Sequence, residues 1–179
     1  MNMQRFLWPL VIVLAVGALF LWGLRRSNPT ALPSVLVGKP APAFTLPVLP
    51  PYQAEWGREL ELSELVGKKP ILINFWASWC IPCQQEGPVL SAFWQQNKDK
   101  IMVLGINTQE RNPSDALSFI QQYGLGFPSV QDNGRMYIEY GTYGVPETFL
   151  IDTSGKVRLR HVGPVSQADL AAMLKQGGG

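Results

Sequence analysis

Cysteine and histidine are both scarce in this chain of 179 residues, which has two cysteines, Cys80 and Cys83, and one histidine, His161. Two thiols cannot build a disulfide-rich scaffold or a four-thiolate zinc site. Charge is sparse as well, at 16% of residues against 46% hydrophobic, the reverse of a disordered chain. There is no basic excess outside the N-terminus. The formal charge of +2 rests on Arg5, Arg25 and Arg26, in a stretch without an acid, and residues 27–179 keep 12 basic residues against 13 acidic. No basic face for nucleic acid is therefore expected. Internal repeats are absent, and the length suits one medium domain rather than two.

The longest apolar stretch is FLWPLVIVLAVGALFLWGL, 19 uncharged residues from Phe6 to Leu24. About 20 apolar residues span a hydrocarbon core as a helix. Pro9, Gly17 and Gly23 are tolerated in such a helix, and Trp8 and Trp22 stand near its ends, where indole rings settle at the interface. A cleaved signal peptide is the alternative, but Leu24-Arg25-Arg26 is a poor cleavage context. Residues 1–26 are read as a single-pass anchor. Arg5 and the amino terminus oppose Arg25 and Arg26, so charge does not set the orientation. Residues 27–42, with Pro29, Pro33, Pro40 and Pro42, read as an extended linker. A domain is expected over 43–176, with 177–179 frayed.

Within that domain, 44–49 and 59–62 suggest a short hairpin, and Ser63-Glu64-Leu65 a helical turn closed by Gly67. ILINFW (71–76) and IMVLGI (101–106) are continuous apolar runs, as in strands buried on both faces. Helices are expected over 82–96, kinked at Pro88, and over 114–123, capped by Ser114 and ended by Gly124. A short strand at 129–131 and a short helix at 134–140 follow. Strands 148–152 and 157–161 flank the turn Thr153-Ser154-Gly155-Lys156, and a helix over 166–176 is capped by Ser166. This order specifies an α/β fold with a mixed central sheet and helices on both faces.

Trp79-Cys80-Ile81-Pro82-Cys83 stands between a buried strand and a helix start. Two cysteines so spaced can close a small disulfide and open it again. A helix N-terminus stabilises the attacking thiolate. Cys80, at the edge, is the expected nucleophile, and Cys83, one turn in and more buried, the resolving thiol. Pro82 stiffens the turn and tunes the balance of dithiol and disulfide. A permanent staple is a weak alternative, since so small a loop restrains little of the unfolded chain. A metal site lacks ligands, and covalent haem attachment needs a histidine where Gln84 stands.

The segment Asn74-Phe75-Trp76-Ala77-Ser78-Trp79-Cys80-Ile81-Pro82-Cys83 resembles the active site of the thioredoxin superfamily. Pro88 matches that superfamily's helix-kinking proline, and Gly144-Val145-Pro146 resembles the segment carrying its cis-proline. The apolar N-terminus, a hairpin introduced by Ala41-Pro42-Ala43-Phe44-Thr45-Leu46 and an insertion between Asn107 and Tyr137 narrow the likeness. Tyr143-Gly144-Val145-Pro146-Glu147-Thr148-Phe149-Leu150-Ile151-Asp152 is similar to a segment of the CcmG/DsbE proteins, membrane-anchored thiol–disulfide proteins of cytochrome c maturation. The resemblance implies a thioredoxin-like fold with an N-terminal hairpin extension and a central insertion. It implies a thiol–disulfide reductase on the periplasmic side of the inner membrane. Its substrate would be the Cys-x-x-Cys-His disulfide of apocytochrome c, or a mixed disulfide with a haem-ligation component. Electrons would come from a membrane thiol carrier of the DsbD or CcdA type. No cofactor beyond the Cys80–Cys83 disulfide is expected, and no metal.

The same resemblance places Pro146, in the cis form, against Cys80, has the Val145 backbone pair with an extended substrate segment, and sets Trp79 at the rim. Ile81, Val145 and Tyr143 are placed at the substrate groove, with Phe127 as a further aromatic candidate. Asn74 departs from thioredoxin, which carries a buried Asp there, and reads as a core group bonded to backbone. Glu86 reads either as a carboxylate favoured by the helix dipole or as a partly buried acid replacing that Asp. Glu147 reads as a group managing protons or recognising substrate, or as a solvated strand end. Trp76 is expected in the core and His161 on a strand surface. Competing functions are a general oxidant or isomerase on the same fold and a module that holds apocytochrome with little redox turnover. A peroxidase of the peroxiredoxin type is disfavoured, since Ala77 stands where that family places Thr.

Overall fold

The computed structural model describes residues 4–26 and 34–177. The chain divides into two compact units, Met1–Ala31 and Leu32–Gly179. The first contains one helix, α1 (Gln4–Arg26), of 23 residues. Among the described residues no helix is long and apolar enough to cross a membrane. The anchor expected at 1–26 is thus not shown by the structure, and the apolar run from Phe6 to Leu24 remains its only support.

The second unit is built on a five-stranded sheet in the order β5-β4-β3-β6-β7. Its strands are β3 (Ile71–Trp76), β4 (Met102–Asn107), β5 (Ser129–Gln131), β6 (Glu147–Ile151) and β7 (Val157–Val162). β3, β4 and β5 are parallel, and β6 and β7 are antiparallel to their neighbours. The parallel pairs need crossover helices, supplied by α3 (Ile81–Asn97) and α4 (Pro113–Tyr123). α5 (Arg135–Glu139) and α6 (Gln167–Gly177) complete this layer structure. The mixed sheet with helices on both faces is the architecture read from the sequence.

The period of two in β3 sorts its side chains. Leu72 and Trp76 join Leu90, Phe119, Leu170 and Met173 in the core under α3, α4 and α6. Ile71, Ile73 and Phe75 face the other way, onto Phe44, Leu60, Met136 and Tyr140. Every residue of β3 and β4 is buried, which explains why both strands read as unbroken apolar runs. Gly105 is required on the helix side of β4. A Cβ there would stand 2.3 Å from Ser129 Oγ and 2.7 Å from Trp76 Nε1.

The segment before the sheet reaches both of its edges. β1 (Thr45–Pro47) and β2 (Glu59–Glu61) form the expected hairpin, with α2 (Gln53–Trp56) in its loop. Val48 bridges Val130, and the Leu49 amide donates to the Ser129 carbonyl at 2.9 Å, covering β5. At the other edge Gly38 donates to Val157, Val157 to Lys39, and Ala41 to Gly155. Free strand edges invite pairing with other chains; here the segment covers β5 and the start of β7 at Val157. The linker expected over 27–42 is therefore corrected. Residues 27–33 lie outside the described residues, and 38–41 are paired to the sheet because their backbone groups find partners on Val157 of β7 and on the turn before it.

Smaller corrections follow the same logic. α4 is capped by Asn112, whose side chain accepts from the Ser114 amide, with Pro113 in the first turn, so Ser114 is not the cap. Gly124 ends α4 in the left-handed conformation as expected. Ser166 and Asp169 bond reciprocally at the start of α6. Gly177, expected to fray, is the buried last residue of α6, and a Cβ there would lie 2.8 Å from Pro70 Cβ. Residues 178–179 lie outside the described residues. β6 begins one residue earlier than read, at Glu147, which places that carboxylate in the sheet.

Gly105→Ala is expected to destabilise the domain by about 1–3 kcal/mol through overpacking, read as a lower midpoint in urea unfolding.

Candidate active site

The turn after β3 delivers Cys80 to the start of α3. Cys80 is the residue capping that helix, with extended backbone, and its Sγ accepts the Cys83 amide at 3.1 Å. Pro82 lies in the first turn, where its missing N–H costs the helix nothing. The two cysteines form a disulfide, with Cα atoms 5.2 Å apart. The Val145–Pro146 peptide bond is cis, and the Val145 carbonyl oxygen lies 3.4 Å from Cys80 Sγ. Both cysteines are buried, Cys80 at 3% exposure and Cys83 at 1%. The expected order of burial holds, but by a small margin.

Around this buried disulfide stand exposed apolar residues. Trp79 and Ile81 flank Cys80 in sequence, and Tyr143 lies two residues before Val145; all three are exposed, while Val145 is half-buried. These are the residues expected at the rim and groove. Phe127 is not among them. It is buried in the core beneath α3, where β5 begins, so the groove role considered for it is corrected. Trp76 is core, as expected, stacked on Phe119. His161 is half-buried on β7, its Nε2 3.3 Å from the Pro164 carbonyl oxygen.

Two carboxylates are buried on opposite faces of the sheet. Glu86, one helical turn after Cys83, is 2% exposed. Its Oε1 accepts from Asn74 Nδ2 at 2.8 Å and its Oε2 from the Val165 amide at 2.9 Å. Burial pushes its carboxyl from 4.5 up to about 7, and these two hydrogen bonds only partly oppose the shift. Asn74 Nδ2 also donates to Thr148 Oγ1 at 3.1 Å. Asn74 thus bonds side chains rather than the backbone partner expected for it. The geometry favours the buried-acid reading of Glu86 over the surface one.

Glu147 is fully buried, which excludes the solvated strand end. Its Oε2 accepts from Arg160 Nε at 2.8 Å and lies 2.7 Å from Arg160 Nη2. Its Oε1 accepts the amides of Tyr143 at 2.8 Å and Gly144 at 3.3 Å. The Arg160 guanidinium covers the Tyr143 ring at 4.4 Å. Glu147 therefore ties β7 to the two residues that precede Val145. Arg160 escaped the sequence reading because alternation along VRLRHV suggests a surface strand, and nothing local marks one arginine as buried.

Glu110 also escaped it. Its carboxylate accepts both the amide and the hydroxyl of Ser78, the latter at 2.8 Å, and Asn107 Nδ2 at 2.8 Å. Next to it, the Gln109 carbonyl accepts Trp79 Nε1 at 3.0 Å. Among the described residues no three His, Cys, Asp or Glu side chains gather as a metal site.

Comparison with known proteins agrees with this geometry. Residues 37–160 match the AhpC/TSA family. The thiol:disulfide interchange protein DsbE of Allochromatium vinosum is 38% identical over 166 residues, covering 92% of this chain and 87% of that protein. DsbE of Escherichia coli is 37% identical over 172 residues, covering 93% and 89%. A crystal structure of a thiol:disulfide interchange protein DsbE from Chlorobium tepidum superposes with a TM-score of 0.66 at 34% identity, over 76% of this chain and 92% of that one. A secreted disulfide oxidoreductase of Mycobacterium tuberculosis, described as homologous to DsbE, gives 0.64 at 25% identity, over 74% and 95%.

Two outcomes follow for the carboxylates. The folded-state affinity of Glu86 for its proton is raised, so its protonated form contributes stability in full below about pH 4.5, lost as pH rises through about 7. Urea midpoints from pH 5 to 8 should fall in the native chain, by an amount worth about 3 kcal/mol at most, and this fall should be absent in Glu86→Gln. Glu147→Ala leaves the Arg160 guanidinium buried without its partner and is expected to cost about 3–5 kcal/mol in the same assay.

Proposed function

The chain belongs to the AhpC/TSA family of the thioredoxin superfamily, and within it to the thiol:disulfide interchange proteins of the DsbE (CcmG) type; on that premise we propose that this thiol–disulfide oxidoreductase works as a reductant in cytochrome c maturation. The observation that carries the reading is the Cys80–Cys83 disulfide at the start of α3, set against the Val145 carbonyl, with Glu86 buried one turn behind it. In the reductive cycle, the Cys80 thiolate attacks a disulfide sulfur of the substrate and displaces one substrate thiolate. Cys83 then attacks Cys80 of the mixed disulfide. The second substrate thiolate leaves, and two electrons have passed from the Cys80–Cys83 dithiol to the substrate. Cys83 must lose a proton in that step, and a buried carboxyl with affinity near neutrality can receive it. A carboxylate so near the pair also disfavours thiolates. A less stabilised thiolate means a more stable disulfide, which suits a reductant.

The substrate proposed is the Cys-x-x-Cys-His disulfide of apocytochrome c, or a mixed disulfide with a haem-ligation component. Thiols must be free for haem attachment, so the pair must be kept reduced by a membrane thiol carrier of the DsbD or CcdA type. The apolar run from Phe6 to Leu24 supports tethering to the inner membrane, with Leu32–Gly179 in the periplasm. The exposed Trp79, Ile81 and Tyr143 supply apolar surface for the substrate segment. No group beyond the disulfide is needed to carry the electrons.

The reduction potential of the full chain in detergent, equilibrated against a thiol buffer, tests the direction. A value near about −270 mV, or moderately above, is expected, whereas a value near about −120 mV would mark an oxidant and overturn the reading. Cys83→Ser should accumulate mixed disulfides with apocytochrome c through Cys80, detected on non-reducing gels. Equal adducts through Cys83 in Cys80→Ser would reverse the assignment of nucleophile and resolving thiol.

A further inference from the structure

The turn that carries Cys80 buries Ala77 and Cys80 in the core and closes on itself through the Cys80 amide, which donates to the Ala77 carbonyl at 3.2 Å. Between the end of β3 at Trp76 and the start of α3 at Ile81 lie four residues, of which Ser78 is half-buried and Trp79 exposed. Gln84 Nε2 of α3 also reaches the Ser78 carbonyl, at 3.4 Å, and the remaining polar contacts on Ser78 and Trp79 come from the loop that follows β4 and opens the inserted segment. The Thr108 amide donates to the Trp76 carbonyl at 3.0 Å. Glu110 takes the Ser78 amide with Oε1 and the Ser78 hydroxyl with Oε2. Gln109, in the left-handed region at φ 58°, turns its carbonyl to the Trp79 indole. Asn107, the last residue of β4, donates to Glu110 and fixes the carboxylate from behind.

The loop itself is pinned further back. Thr108 Oγ1 donates to the buried Asp132 at 3.0 Å, and Asp132 also accepts the amides of Met136 and Tyr137 at the start of α5. A chain of hydrogen bonds therefore runs from α5 through Asp132 and Thr108 to Trp76, just before Ala77, while Glu110 holds Ser78 just after it. Hydrogen bonds to an ionised carboxylate are roughly twice as strong as neutral ones, and Glu110 makes three of them to the turn and its support.

We propose that Glu110 is a positioning residue of the redox site, whose carboxylate grips Ser78 so that Cys80 Sγ faces the Cys83 amide and the Val145 carbonyl while Trp79 is held on Gln109. Glu110 touches neither sulfur and acts only through Ser78 and the adjoining loop. The inserted segment thereby sets the geometry of the disulfide, whichever way electrons flow, so the proposal rests on thiol–disulfide exchange and not on its direction.

The test uses the full chain in detergent with Glu110→Ala and Glu110→Gln. Exchange is followed between the reduced protein and a synthetic Cys-x-x-Cys-His peptide disulfide, beside melting temperature. The Trp79 indole N–H is followed by NMR, identified by its disappearance in Trp79→Phe. Small misplacements of reacting groups cost up to about a hundredfold in rate, and about tenfold is expected for Glu110→Ala. The Trp79 signal should move toward that of a hydrated indole. Glu110→Gln, which keeps an acceptor for Ser78, should recover to within about threefold of the native rate. A native rate and an unmoved Trp79 signal in Glu110→Ala overturn the proposal. So does a rate that falls only in step with melting temperature while the Trp79 signal stays in place. If Glu110→Ala does not fold, Ser78→Ala removes one of the three bonds and carries the same readouts, with about a threefold loss expected and no change decisive against the proposal. Failure of the reductant reading shows in the potential of the native chain, whereas this proposal is read from the ratio of variant to native rate and from the Trp79 signal.

Discussion

A sulfur at the start of α3 is the constraint on which the remaining structure depends. Cys80 Sγ must accept an amide from the first helical turn and also stand against the carbonyl of Val145, a residue 65 positions further along the chain. Neither contact is strong. Each needs a backbone held from outside, because a turn and a loop do not hold their own shape. The sheet supplies the coarse alignment by placing β3 and β6 side by side and antiparallel, with Phe75 opposite Glu147. That register brings the end of β3 and the start of β6 to the same edge. Cys80 follows one and Val145 precedes the other.

Fine alignment comes from two carboxylates that never touch the sulfurs. Glu110 holds the turn before Cys80, and Glu147 holds the turn before Val145. They use the same device, a carboxylate accepting backbone amides in a loop whose donors would otherwise go unpaired. Their settings differ. Glu110 lies half-buried on a loop, while Glu147 is fully buried and paired with Arg160. Arg160 in turn lies against Tyr143 and so shields its own ion pair from water.

Most of the fold was legible in the sequence, for identifiable reasons. β3 and β4 are buried on both faces, so their apolar runs could not be mistaken for surface segments. Gly124 and the Ser166–Asp169 pair mark helix ends through local chemistry. The Cys80–Cys83 spacing carried its chemistry within four residues. What was not legible involves partners distant in sequence. Arg160 and Glu147 are 13 residues apart, Glu110 and Ser78 are 32 apart, and Glu86 reaches Val165 across 79. The pairing of 38–41 with β7 was hidden by the prolines at 40 and 42, which read as a linker although the amides of Gly38 and Ala41 were free to pair. Side-chain identity showed that Glu86 and Glu147 were unusual. Only burial and partners could separate their roles.

That separation is the clearest chemical statement the site makes. Glu147 accepts from a guanidinium and two amides, so a cation and two donors face it where it is buried. Glu86 accepts from an amide and from the Asn74 side chain, neither of them a cation, and burial raises its proton affinity to near neutrality. Two carboxylates on opposite faces of one sheet thus meet different surroundings, one matched by a cation and one held only by neutral donors. Asn74 belongs to the same logic. An aspartate at that position would place a second negative charge against Glu86, and mutual repulsion would hold one of the two protonated. The amide instead donates to Glu86, which leaves a single titrating group in the apolar layer beside Cys83. The carboxylate that β3 lacks at Asn74 is thus supplied from α3, the helix that Cys80 caps and that carries Cys83.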